Sequence, residues 1–168
     1  MEAYILCQLQ EDSPNVFYMS GLHAQQIFNR KKMPYLELRD ADLINANFIL
    51  IPLLINDNHW TVVLISNLTD TVKYINPFGT SDKALSDILE KWKKFCSTRS
   101  SELKSKKWTS EQLDHEIQLD LVSCGIFIMV FMEKFINYDY NYYFDSSKTG
   151  LKKLRENFHK TLRDKSTI

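Results

Sequence analysis

His59 stands directly before Trp60, Asn76 directly before Pro77, and Gln118 six residues ahead of the pair Cys124-Gly125. A thiol, an imidazole and two amides are the side chains that nucleophilic acyl transfer needs. A thiolate attacks a carbonyl carbon, and an imidazole takes the thiol proton and later hands one to the leaving amine. A third group orients the imidazole, and Cys–His–Asn is a working version of that set. Free cysteine has a pKa of about 8.5, and a helix N-terminus with a nearby imidazolium brings it to about 7.5 or lower. The tetrahedral intermediate also needs hydrogen-bond donors for its oxyanion. The backbone N–H of Cys124 and the side-chain amide of Gln118 can provide them, and loss of one such donor typically costs roughly 100- to 1000-fold in rate.

Each residue also has a plainer reading. Cys124 taken alone is a small buried hydrophobe, His59 a strand-end histidine bonded to backbone, Asn76 a turn former before proline, and Gln118 a loop amide. Trp60 divides evenly between core packing and a substrate wall. It is the order and combination of these residues that favour chemistry. His23, His115 and His159 read as surface or helix residues, with His115 a minor rival for the base because it lies near Cys124 in sequence. Cys7 and Cys96 fall on apolar helix faces and read as structural.

The elements around these residues must bring them together. The run 47–55 is rich in β-formers, with Pro52 arguing for an edge position, a bulge or a strand end. Residues 59–66 and 71–79 form further strands, joined by an Asn-Leu-Thr-Asp turn at 67–70. If they pair as a hairpin, His59 and Asn76 meet at one sheet end, and Pro77 holds Asn76 extended. That geometry lets an amide oxygen fix the histidine tautomer. Short helices are expected over 1–10 and 21–32, the latter with Leu22, Ile27 and Phe28 on one side. Ser81-Asp82 caps a helix over 83–96 whose stripe is Leu85, Ile88, Leu89 and Trp92. A short strand is expected within 106–113. An apolar helix of about three turns starts at Cys124, and an amphipathic helix closes the chain. The aromatic cluster at 135–144 reads as a lid over the core or a partner surface. The order is α+β, with helices against a small, mostly antiparallel sheet.

The whole chain restricts the function classes. Its 168 residues suit a single domain over 1–168, and 44% apolar with 25% charged residues is ordinary for a globular protein. Net charge is zero, with 21 basic and 21 acidic residues, so the basic footprint of a nucleic-acid binder is missing. The lysines at 91–94 and 104–107 read as solvated faces. Three scattered cysteines without a CxxC pair exclude the usual zinc and dithiol patterns and fit a reducing compartment. The first residues lack the basic region of a signal peptide, and no apolar run approaches the ~20 residues of a membrane span. No cofactor or metal is expected, and neither nucleic acid nor membrane is an expected partner. The chain is expected to be monomeric and intracellular, in nucleus or cytoplasm.

The order His59-Trp60, Asn76-Pro77, Gln118 and Cys124-Gly125 resembles the ubiquitin-like-protein proteases, the group of SUMO/sentrin-specific proteases and adenovirus-type cysteine peptidases. The approach at 48–60 is similar too, and the resemblance runs from about residue 2 to residue 135. It implies a papain-like fold with the nucleophile at a helix N-terminus. It further implies Cys124, His59, Asn76 and Gln118 as the catalytic set, with Trp60 and Gly125 lining the substrate channel. The family mostly carries Asp where Asn76 stands and often Asp where Ser123 stands. Its N-terminal Trp-Leu-Asn-Asp-like segment is expected to lie ahead of this chain's start. The implied activity is a cysteine peptidase or isopeptidase that cleaves after the C-terminal glycine of SUMO, NEDD8 or ubiquitin. Two alternatives accompany it: a processing protease of viral or transposon type, and a pseudoprotease that binds the modifier without cutting it.

Overall fold

The computed structural model describes residues 15–29 and 38–165. The helix expected over 1–10, and Cys7 with it, lies outside the described residues. At the centre is one sheet with strands in chain order: β1 (Val16–Tyr18), β2 (Phe48–Ile55), β3 (His59–Ser66), β4 (Thr71–Ile75) and β5 (Thr109–Ser110). The three central strands pair antiparallel, while the short flanks β1 and β5 pair parallel to their neighbours. The sheet is therefore mixed, with its antiparallel part in the middle. Its helices are α1 (Gly21–Phe28), α2 (Asp40–Asn45), α3 (Asp82–Ser97), α4 (Ser101–Ser105), α5 (Cys124–Ile136) and α6 (Lys148–Lys165).

Both faces of the sheet are covered, which explains why β2 reads as an almost unbroken apolar run rather than an alternating one. Ile49, Ile51, Leu53, Val63, Ile65, Val72 and Tyr74 face a core shared with α1 and α3. Their neighbours Phe48, Leu50, Val62, Leu64 and Ile75 face a second core built on α5 and α6. The α3 stripe is buried as expected, at Leu85, Ile88, Leu89 and Trp92, and Ser81 Oγ caps the helix by accepting from the Ala84 N–H at 3.2 Å. In α5, Phe127, Phe131 and Phe135 are buried, while Glu133 and Lys134 mark its emergence. Tyr142 and Phe144 close the second core by edge contacts with Phe131, and Tyr138, Tyr140 and Tyr143 stay exposed.

Several sequence expectations need correction. Pro52 lies inside β2, opposite Val62, and marks no strand end. Its missing N–H does no harm there. The polar groups of Leu50 and Leu54 point to the β1 side, so those of Pro52 do too, and β1 has already ended opposite Leu50. In α1, Phe28 is buried as expected, but Leu22 is 49% exposed, and Ala24 and Gln25 complete the buried side. Gln25 is tolerated in the core because its Nε2 donates to the Leu54 carbonyl at 2.7 Å. The expected strand at 106–113 contracts to Thr109–Ser110. The flank β1 and the short helices α2 and α4 carry too few residues to show a period.

Candidate active site

The β3–β4 hairpin pairs Ser66 with Thr71 and Val62 with Ile75. Continued by three residues on each strand, that register sets residue 59 opposite residue 78. His59 thus opens β3 beside the turn that follows β4. Its ring bonds Asn76 through Nε2, 2.8 Å from Oδ1. The Phe78 N–H donates to the same Oδ1 at 3.0 Å. A backbone N–H can only be received by an acceptor, so this atom is the amide oxygen, and His59 Nε2 must carry the proton it donates. In the neutral ring that tautomer leaves the lone pair on Nδ1, the form a general base uses.

The turn is built to hold that oxygen. The Gly79 N–H donates to the Asn76 carbonyl at 2.7 Å, and the Asn76 N–H donates to Thr80 Oγ1 at 2.9 Å. Gly79 has φ of +107°, a conformation that L side chains rarely adopt. Phe78, 45% exposed, lies flat on the imidazole with ring centroids 4.4 Å apart and planes 15° from parallel. It covers one face of His59 and limits access of water to the His–Asn bond.

A backbone hydrogen bond ties the loop ahead of Cys124 to this turn: the Gln118 N–H donates to the Pro77 carbonyl at 2.8 Å. Beyond Gln118, Asp120 organises the backbone. Its Oδ1 accepts the N–H groups of Val122 and Ser123 at 3.0 and 2.9 Å, and its Oδ2 accepts the Ser123 hydroxyl at 2.6 Å. Arg155 of α6 donates to Ser123 Oγ at 2.7 Å. Burial alone would raise the Asp120 pKa, but hydrogen bonds from Ser123, Val122 and Gln118 outweigh it and hold the carboxyl below its usual range.

Cys124 is the first residue of α5 and only 7% exposed. The helix ladder begins with the N–H groups of Ile126 and Phe127, both on the Ser123 carbonyl. The N–H groups of Cys124 and Gly125 precede that ladder, so they are among the free donors every helix start carries. Helix α5 packs on β3, the strand His59 opens. Cys96 is different in kind: burial in the α3 core pushes its thiol up to about 12, as suits a structural cysteine. His115 is buried on the edge of Phe131 with Nδ1 bonded to the Glu116 carbonyl at 2.9 Å. It has no part in the His59–Asn76 pair.

Gln118 is 3% exposed, and its Nε2 donates to the Asp120 carbonyl and Oδ1 at 2.7 and 3.0 Å. Both amide hydrogens are thereby engaged. Turning the amide over would set Oε1 against two oxygens, so this orientation is the favourable one. Trp60 is half-buried. It packs on the second core, and it also lines a recess of about 470 Å³ with Tyr18, Ser20, Leu22, Pro52 and Leu54. Gly125 is half-buried one residue into α5. Reading the sequence alone misses Asp120 and Phe78. An aromatic two residues after Asn76 was the one available signal for Phe78, and Asp120 reads as an ordinary loop acid.

A family model described as the Ulp1 protease family, C-terminal catalytic domain, matches residues 6–166. Among solved structures, the chain is similar to the C-terminal Ulp1 protease domain in complex with Smt3, the yeast ortholog of SUMO. The TM-score is 0.72 at 16% identity, covering 96% of this chain and 74% of that one. It is also similar to ChlaDub1 from Chlamydia trachomatis, with TM-score 0.62 and 12% identity over 96% and 89% of the two chains. The effector XopD of Xanthomonas campestris, bound to ubiquitin, gives TM-score 0.54 and 11% identity over 95% and 87%. No curated protein sequence matches. The fold is the one these structures share, and a match over nearly the whole chain makes this protein a member of the Ulp1 protease family, a cysteine protease catalytic domain.

Proposed function

We propose that the chain is a peptidase or isopeptidase that cleaves after the C-terminal glycine of a ubiquitin-like modifier, with Cys124 as nucleophile, His59 as base and Asn76 as orienting group. The hydrogen bond from His59 Nε2 to Asn76 Oδ1 carries the reading, because it leaves Nδ1 to act on the thiol. The modifier's tail runs in through the recess between Tyr18 and Trp60. Apolar walls and close quarters suit a tail of glycines, whose missing side chains let the backbone approach.

In the first step the Cys124 sulfur bonds to the glycine carbonyl carbon, and the thiol proton passes to His59 Nδ1. The oxyanion is received by the N–H groups of Cys124 and Gly125 and by Gln118, once one of its amide hydrogens leaves Asp120. Collapse breaks the C–N bond, and His59 returns its proton to the departing lysine or peptide amine. Water, deprotonated by His59, then attacks the thioester carbon and restores the thiol while the glycine leaves as a carboxylate. Asn76 keeps the ring oriented throughout but adds no negative charge to balance the imidazolium. The protein acts as a monomer in a reducing compartment, where the thiol stays free.

One observation favours a binding module without turnover: both Gln118 amide hydrogens are held by Asp120. Ubiquitin, SUMO and NEDD8, each with a C-terminal electrophile, separate the two readings. A covalent adduct by mass that Cys124→Ala abolishes supports the peptidase, whereas tight binding without an adduct supports the module. Neither adduct nor binding with any of the three would favour the processing-protease alternative.

A further inference from the structure

Ser123 is fully buried, and each of its polar groups is engaged. Its N–H donates to Asp120 Oδ1, and its carbonyl accepts the N–H groups of Ile126 and Phe127 at 2.9 and 3.1 Å. Its hydroxyl stands between Asp120 Oδ2 at 2.6 Å and Arg155 Nη2 at 2.7 Å. A carboxylate only accepts and a guanidinium only donates, so the hydroxyl gives its hydrogen to Asp120 and receives one from Arg155. The chain of donors therefore runs one way, from α6 into the loop, with a charge at each end to strengthen it. Arg155 stands 32 residues beyond Ser123, on a helix fixed to the second core by Leu151 and Phe158. Those two lie four residues before and three after Arg155, on its own side of the helix. Arg155 itself is exposed, so its reach to a buried hydroxyl is not a packing duty in the core.

What Ser123 aims is the next N–H. The peptide group joining Ser123 to Cys124 is planar and trans, so its C=O and N–H point in opposite directions. The carbonyl end faces the first turn of α5, where it accepts from Ile126 and Phe127. The Cys124 N–H is therefore turned away from the helix ladder, and the bonds at Ser123 resist any rotation of the plane that carries it. We infer that Arg155 is a positioning residue for acyl transfer: acting through the Ser123 hydroxyl, it aims the Cys124 N–H at the oxyanion. This rests on the peptidase reading above and deepens it. The aimed N–H serves the tetrahedral intermediate rather than the bound substrate, so the contribution of Arg155 falls on kcat and not on KM.

The test uses ubiquitin, SUMO and NEDD8, each linked at its C-terminus to aminomethylcoumarin, and a Cys7→Ser background. Arg155→Met removes the guanidinium and keeps the aliphatic stem. It is expected to lower kcat about tenfold, less than the outright loss of an oxyanion donor, with KM within about twofold of the unaltered value. Arg155→Lys, which still donates, is expected to recover most of that loss. Ser123→Ala cuts the link, so adding Arg155→Met to it is expected to lower kcat no further. Alkylation of Cys124 by iodoacetamide forms no oxyanion, and in Arg155→Met its rate is expected to stay within about twofold. An alkylation rate that falls in step with kcat overturns the inference, by making Arg155 a support of the thiol. Additive losses from the Ser123 and Arg155 substitutions overturn it too. So does loss of the circular dichroism signal in Arg155→Met, which would make the residue a prop of the fold. Coumarin release indifferent to residue 155 removes this inference alone. If the unaltered chain releases no coumarin from any modifier, the peptidase reading falls first and this one with it.

Discussion

His59 Nε2 and Asn76 Oδ1 lie 2.8 Å apart, and the Phe78 N–H fixes which amide atom faces the ring. The pair therefore has one arrangement in which both hydrogen bonds are made. A neutral amide orients the imidazole without charging its surroundings. Asn76→Asp is expected to stabilise the imidazolium and move the acid limb of kcat/KM to higher pH. Asn76→Ala is expected to lower kcat roughly 100-fold or more through loss of the tautomer. A pH–rate profile unchanged by Asn76→Asp would show that residue 76 does not act on the ring.

Phe78 is nearly half exposed, so its removal has little effect on the core. Phe78→Ala is expected to change stability by less than about 1 kcal/mol and to reduce kcat up to roughly tenfold, on the scale of an aromatic pair. Thermal unfolding and steady-state kinetics on one preparation check both halves. A large fall in melting temperature would mean that Phe78 supports the turn rather than the ring.

Two buried thiols should differ in reactivity. In a Cys7→Ser background, iodoacetamide is expected to modify Cys124, at a helix start, well before Cys96, whose thiol is pushed up to about 12 by burial. Peptide mapping after brief treatment measures the ratio. Preferential labelling of Cys96 would contradict the assignment of the nucleophile.

Asp120 links stability to pH. Its folded-state pKa lies below the usual 3.8, so the stability it contributes is present above 3.8 and is lost as pH falls through the lower folded value. Asp120→Ala strips the charged acceptor from the Val122 and Ser123 N–H groups and is expected to cost about 2 kcal/mol. Denaturant unfolding between neutral pH and pH about 3 should show a shallower acid loss in the variant than in the unaltered chain. Activity should fall as well, since the loop presents Cys124. Parallel acid profiles would assign the loop's stability elsewhere.

Much of this molecule was legible in local pattern. The stripe of α3, its Ser81 cap, the β3–β4 hairpin and the apolar helix at Cys124 all follow from short-range periodicity and capping. Pro52 misled because its tolerance depends on where a neighbouring strand stops, which no local window contains. Leu22 misled for a similar reason: a side of an eight-residue helix is buried only if something covers it.

By itself, the sequence determined which reactive groups exist and how they are spaced: His59 before Trp60, Asn76 before Pro77, Gln118 six residues from Cys124. Covalent spacing and local propensity are properties of the chain, and they survive in any fold. Only the tertiary structure decided where each hydrogen goes. It put the Asn76 oxygen on His59 and gave the Gln118 amide to Asp120. It also stitched the Gln118 N–H to the Pro77 carbonyl, 41 residues away in sequence. The reason is competition: a buried donor takes whichever acceptor the folded backbone brings within about 3 Å, and that choice is made in space, after the elements have packed.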